Sequence, residues 1–129
     1  MIVIDMENKK ILVVEDDEFL REIYLEILKD ASYSVDSAID GQEAYDKIKV
    51  GGYDLVLLDI LLPKMDGLQV MEKLQAESAA KANKAVVFLT NLDNDEQIKE
   101  ALRLGDGYLI KSQLTPENLL KEITVYLTR

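Results

Sequence analysis

The sequence predicts an α/β domain built on a parallel sheet with helices on both faces. Two observations carry this. Five short β-type runs alternate with five stretches of helical periodicity, the pattern of a layered α/β fold. Three of the β-type runs are apolar throughout, as strands covered on both faces are. The 129 residues contain only two prolines, Pro63 and Pro116. They show no repeat, low-complexity tract or linker, which suits one domain with a real core.

The elements follow in order. Ile11–Val14 is the first strand, and Leu20, Ile23, Tyr24, Ile27, Leu28 and Ala31 form the stripe of the first helix. Ser34–Ala38 is the most polar strand and is expected at an edge. A shorter helix around Ala44 and Ile48 is opened by Asp40-Gly41 and closed by Gly51 and Gly52. Leu55–Leu58 is the third strand. Asp66-Gly67 reads as a turn and helix start, followed by Leu68, Met71 and Leu74. Ala85–Leu89 is the fourth strand, followed by a helix with Ile98, Ala101 and Leu102 inward. Tyr108–Ile110 is the fifth strand. Thr115 is a natural N-cap with Pro116 at the first helical position, and Leu119, Leu120, Ile123 and Leu127 form the last stripe.

Composition removes several classes of function. The chain has no cysteine and no histidine. Disulfides, thiolate metal sites and the commonest general base are therefore excluded, and any metal should be a hard cation with oxygen ligands. A formal net charge of -10 argues against general nucleic-acid binding, which needs a basic footprint. No apolar run approaches the roughly 18 residues of a membrane span, and "MIVIDM" lacks the form of a signal peptide. A cytoplasmic protein is expected.

In open parallel sheets ligands gather outside the carboxyl ends of the strands. The first strand ends in Glu15-Asp16-Asp17, the third in Asp59, the fourth in Thr90-Asn91 and the fifth in Lys111-Ser112. Asp59 follows four apolar residues and precedes three more. The topology puts it at the lip of the sheet, out of the core. Each residue alone has a plain structural role: Asp16 and Asp17 as helix caps, Thr90 as a strand threonine, Lys111 as a solvated lysine. Together at one sheet edge they read as a Mg²⁺ site. A carboxylate beside Mg²⁺ and a lysine can also attack phosphorus and form an aspartyl-phosphate.

At this point the chain resembles the receiver domain of bacterial two-component response regulators. The motifs are "KKILVVEDDEFLRE", "DLVLLDILLPKMDGLQV", "VVFLT" and "YLIK", in that order. The resemblance runs over roughly residues 9 to 128, leaving 1–8 as an N-terminal extension and 9–129 as the receiver domain. It implies a doubly wound, flavodoxin-like (βα)5 sandwich with strand order 2-1-3-4-5. It implies that Asp59 accepts a phosphoryl group from a histidine kinase or phosphotransfer protein. Asp16 would ligate Mg²⁺ directly, Glu15 partly through water, with Asp59 and the Leu61 backbone carbonyl completing the set. Lys111 would bind phosphoryl oxygens. Thr90 would be the switch hydroxyl and Tyr108 the switch aromatic. The face built by the fourth helix, fifth strand and fifth helix would then change its affinity for an output protein, or for a second copy in a phosphorylation-dependent homodimer. No classical enzymatic activity is implied beyond autophosphorylation from phosphodonors and slow autodephosphorylation.

Four departures from the family pattern matter. Ser112 stands where a proline, often joined by a cis bond, usually follows the lysine; a cis non-proline bond costs about 2.5–4 kcal/mol. "LRLGDGYLIK" is one residue short before Tyr108. Leu61 and Leu92, two after Asp59 and two after Thr90, replace side chains that can orient hydrolytic water, which implies a long-lived phosphoryl group; Asn91 is also larger than usual. Met1–Asp5 precede the family's usual start, as an upstream start with Met6 the initiator, or as a segment that pairs with a sheet edge or a second chain.

Three rival readings remain. A phosphohydrolase would need an aspartate where Leu61 stands. A flavodoxin-like cofactor binder would want a Gly- or Ser/Thr-rich phosphate loop, and "EDDEFL" is acidic. A degenerate receiver would act as a phosphorylation-independent docking module.

Overall fold

The computed structural model describes residues 8–79, 82–91 and 95–128. Five parallel strands, β1 (Lys10–Val14), β2 (Ser34–Ala38), β3 (Leu55–Asp59), β4 (Val86–Thr90) and β5 (Gly107–Ile110), form one sheet in the order β2-β1-β3-β4-β5. The helices are α1 (Glu18–Asp30), α2 (Gly41–Val50), α3 (Gly67–Ala76), α4 (Asp95–Leu104) and α5 (Pro116–Leu127), with a 3-10 turn at Lys111–Gln113. This is the expected 2-1-3-4-5 sandwich. The polar β2 is indeed an edge strand.

Strand alternation sorts the core into two layers. Ile11, Val13, Leu55, Leu57, Val87, Leu89 and Leu109 pack with Tyr24, Leu28, Leu119 and Ile123 of α1 and α5. Leu12, Val14, Val56, Leu58, Val86 and Phe88 pack with α2, α3 and α4. All of these strand residues are at most 7% exposed. The continuous apolar runs thus reflect two covered faces.

Helix starts follow local chemistry. Asp17, Asp40, Asp66 and Thr115 are N-caps, accepting from the amides of Leu20, Glu43, Gln69 and Asn118. Asp66 and Gln69 complete a reciprocal capping box. Gly51 ends α2 at φ +79°, a conformation that favours glycine. Two core assignments change. Leu102 is 56% exposed, and Leu104 is the buried leucine of α4 together with Ala101. Leu25 joins Tyr24 and Leu28 on the inner side of α1.

The short link before Tyr108 is a tight one. α4 runs to Leu104, and only Gly105 and Asp106 precede β5. The Asp106 N–H donates to the Val86 carbonyl at 2.7 Å, and Asp106 Oδ2 accepts from the Val86 N–H at 2.7 Å. Gln75 of α3 also donates to the Leu104 carbonyl at 3.0 Å. A Cβ at Gly105 would meet Phe88 Cε2 at 2.8 Å and the Val86 carbonyl at 2.9 Å. This closure leaves little room for a side chain at position 105 and uses both the backbone and the side chain of Asp106. The Lys111–Ser112 peptide is trans, like every described peptide bond.

Removing the Asp106 carboxylate strands the Val86 amide. Asp106→Ala should lower stability by about 1–2 kcal/mol in urea denaturation, while Asp106→Asn, which keeps an acceptor oxygen, should lose less. A wild-type midpoint for Asp106→Ala would show that the clamp contributes nothing.

Candidate functional site

The parallel register brings the chemistry to one edge. Val14 pairs with Leu58, Asp59 with Leu89, and Thr90 with Ile110. Glu15, Asp59, Thr90 and Lys111 therefore emerge at the same end of the sheet. Alternation also assigns their sides. Glu15, Asp59 and Lys111 continue the odd-numbered rows that face α1 and α5, whereas Thr90 and Tyr108 continue the even-numbered rows that face the other layer.

Lys111 is the centre of the arrangement. Its Nζ donates to Glu15 Oε1 at 2.9 Å, Glu15 Oε2 at 3.0 Å and Asp59 Oδ2 at 2.9 Å. The other Asp59 oxygen, Oδ1, accepts from the Leu61 N–H at 3.2 Å. Asp59 closes β3 as expected, but it is not at an open lip: it is only 4% exposed, and Glu15 only 1%. Both carboxylates can lie this deep because each has a hydrogen-bonded cation.

One ammonium cannot neutralise two carboxylates. Burial, then the contact with Asp59, pushes the Glu15 carboxyl up to about 8 against the opposing pull of Lys111. Burial works against the Lys111 charge, but hydrogen bonds to Asp59 and Glu15 outweigh it and hold its pKa above the ordinary lysine range.

Glu15, Asp16, Asp59, Leu61, Thr90, Asn91 and Lys111 line a cleft of about 310 Å³ beside the start of α1. Asp16 is exposed, and carboxylate oxygens of Glu15, Asp16 and Asp59 lie within 4.8 Å of one another. Three oxygen donors with no histidine or cysteine suit a hard divalent cation such as Mg²⁺. Thr90 is buried. Tyr108 does not line this cleft. It is half-buried, packed against the α2–α4 layer, and borders a separate depression with Ile110, Leu114 and Asn118. Leu92 lies outside the described residues, as do Met1–Asp5. A larger depression of about 480 Å³, bordered by Met71, Gln75, Lys84 and Asp106, lies at the opposite end of the sheet and gathers no acid cluster.

Sequence reading missed Arg21. Its Nη1 donates to the Glu15 carbonyl at 3.0 Å and, more weakly, to the Asp16 carbonyl at 3.4 Å. A signal existed: helical side chains slant toward the N-terminus, so an arginine four residues after the Asp17 cap reaches the loop before the helix.

A sequence model of the response regulator receiver domain matches residues 11–124. The chain belongs to the receiver domain family of two-component response regulators. Among relatives, the chemotaxis protein CheY of Treponema pallidum is 37% identical over 118 residues, covering 88% of this chain and 79% of that protein. The transcriptional regulatory protein DltR of Streptococcus agalactiae is 40% identical over 103 residues, covering 79% of this chain and 45% of DltR. A gliding motility regulatory protein of Myxococcus xanthus is 35% identical over 88% of this chain, which spans only 15% of it. This receiver thus spans less than half the length of those two regulators. In structure it resembles the receiver domain of Francisella response regulator 1452, with a TM-score of 0.83 at 27% identity over 95% of this chain and 98% of that one. It also resembles CheY4 of Vibrio cholerae, with a TM-score of 0.81 at 30% identity over 92% and 98%. Receiver domains are signalling switches, and phosphorylation-dependent switching is general to the family. No helix among the described residues is long and apolar enough to cross a membrane.

The raised Glu15 pKa has a signed consequence. The fold holds a proton that the unfolded chain releases above about 4.5. Glu15's contribution to stability is therefore fully present below that value and lost as pH rises toward about 8. The chain has no histidine to add a slope there. Metal-free protein should show urea midpoints that fall from pH 5 to pH 8, and Glu15→Gln should flatten the trend. Equal slopes in both proteins would remove Glu15 as its source.

Proposed function

We propose that this receiver accepts a phosphoryl group on Asp59 from a histidine kinase or phosphotransfer protein and uses it as a switch. The observation that supports this best is the Lys111 bridge between Asp59 and Glu15 inside an acid-lined cleft. An Asp59 oxygen attacks phosphorus as the donor's P–N bond breaks, and the electron pair leaves with the imidazole. Lys111 already touches Asp59 and follows the phosphoryl oxygens as their charge builds. Asp16, Glu15, Asp59 and the Leu61 carbonyl would hold Mg²⁺, which supplies neutralising charge to those oxygens when bound.

The new group carries about -1.5 to -2 charge. It competes with Glu15 for Lys111 and attracts the Thr90 hydroxyl. Tyr108 lies on the same sheet side as Thr90, one strand over, and would turn toward the space Thr90 leaves. The α4–β5–α5 face would then shift between two populations and engage an output protein or a second copy of the chain. The chain acts in the cytoplasm, without direct contact to nucleic acid or membrane. The degenerate docking module is disfavoured because the acids, hydroxyl and lysine lie around one cleft.

Incubation with Mg²⁺ and acetyl phosphate should add one phosphoryl group by intact mass, and Asp59→Asn should add none. No gain in the wild-type protein would favour the docking module. Leu61, 58% exposed at the cleft, offers no polar group to hydrolytic water. Replacing Leu61 and Leu92 by polar residues should therefore shorten the phosphoryl lifetime several-fold, roughly the effect of one or two hydrogen bonds of about 1 kcal/mol. An unchanged decay rate would remove these leucines from the account.

A further inference from the structure

We propose that Arg21 is a positioning residue for the acidic pair: its guanidinium holds the backbone carbonyls of Glu15 and Asp16 and so sets where the Asp16 carboxylate meets a divalent cation. This rests on the metal-assisted reading above.

The three neighbouring acids are held in different ways. Glu15 is fastened twice through its side chain to Lys111, and its N–H donates to the Ala38 carbonyl at 3.1 Å. Asp17 is fastened as the α1 cap. Asp16, between them, is exposed. Among the described residues no hydrogen bond or ion pair holds its carboxylate. Its position is therefore set by its backbone, and the Arg21 contacts at 3.0 and 3.4 Å are the side-chain bonds that span that stretch. Arg21 is anchored in turn as part of α1, its N–H donating to the Asp17 carbonyl at 2.9 Å. Arginine suits the task because it does not deprotonate and presents a planar fork of donors. Among the described residues it pairs with no carboxylate, leaving the acids available to a cation.

Charge and positioning make opposite claims here. Removing a positive side chain beside three acids should strengthen their pull on a dication by Coulomb's law. Removing a bond that orients a ligand should weaken metal binding, by roughly 10-fold or more for a partner of a metal ligand.

The test is Mn²⁺ binding to the full chain, followed by the electron paramagnetic resonance signal of free Mn²⁺. Amide exchange at Asp16 and Asp17 is measured in parallel without metal. Arg21→Met keeps the stem and removes charge and donors. Mn²⁺ binding weakened about tenfold, with faster exchange at the two amides, supports the proposal. Arg21→Lys, which keeps a donor, should recover part of the affinity. Binding by Arg21→Met as tight as or tighter than wild type, or unchanged exchange, overturns it. If Arg21→Met does not fold, Arg21→Leu, which likewise lacks charge and donors, carries the same comparison with the same two outcomes. Failure of the wild-type chain itself to bind Mn²⁺ overturns the metal reading, and this role with it.

Discussion

The structure's functional end depends on one imbalance: a single ammonium facing two buried carboxylates. Lys111 reaches from the end of β5 across β4 to Asp59 on β3 and Glu15 on β1. It ties the three strand ends that the sheet order brings together. It also leaves one negative charge without a counterpart. Burial makes that surplus expensive, and three species can relieve it: a proton on Glu15, a divalent cation, or a change in what Lys111 holds. A site that must choose among these responds to its chemical surroundings.

Much of this was legible in the residues because the relevant signals are local. Parallel pairing needs strands that are apolar on both faces, so Leu55–Leu58 declared itself. Capping aspartates and Thr115-Pro116 announced their helices. The strand-end rule placed Glu15, Asp59, Thr90 and Lys111 together before any contact was known. Where the reading fell short, the missing information was three-dimensional. Asp59 was expected outside the core and is buried, because a lysine 52 positions away supplies its partner. Leu102 and Leu104 both fit a helical stripe; their roles depend on how α4 lies over Phe88 and α3. The Arg21 contacts run from side chain to backbone, which leaves no compositional trace.

The acids, hydroxyl and lysine meet at the carboxyl ends of the strands; Gly105 and Asp106 act at the other end, in the two-residue link between α4 and β5. The side chain of Asp106 does for β4 what that of Asp54 does for β1, where the Lys10 N–H donates to Asp54 Oδ2 at 2.8 Å. Asp106 accepts from the first amide of β4, while its own amide returns a bond to the same residue.

That link has a consequence. Two residues span at most about 7 Å, and both are occupied: Gly105 lies against Phe88, and Asp106 grips Val86. The C-terminal end of α4 is thereby fastened through one residue to the start of β4 and, one position before Tyr108, to the first residue of β5.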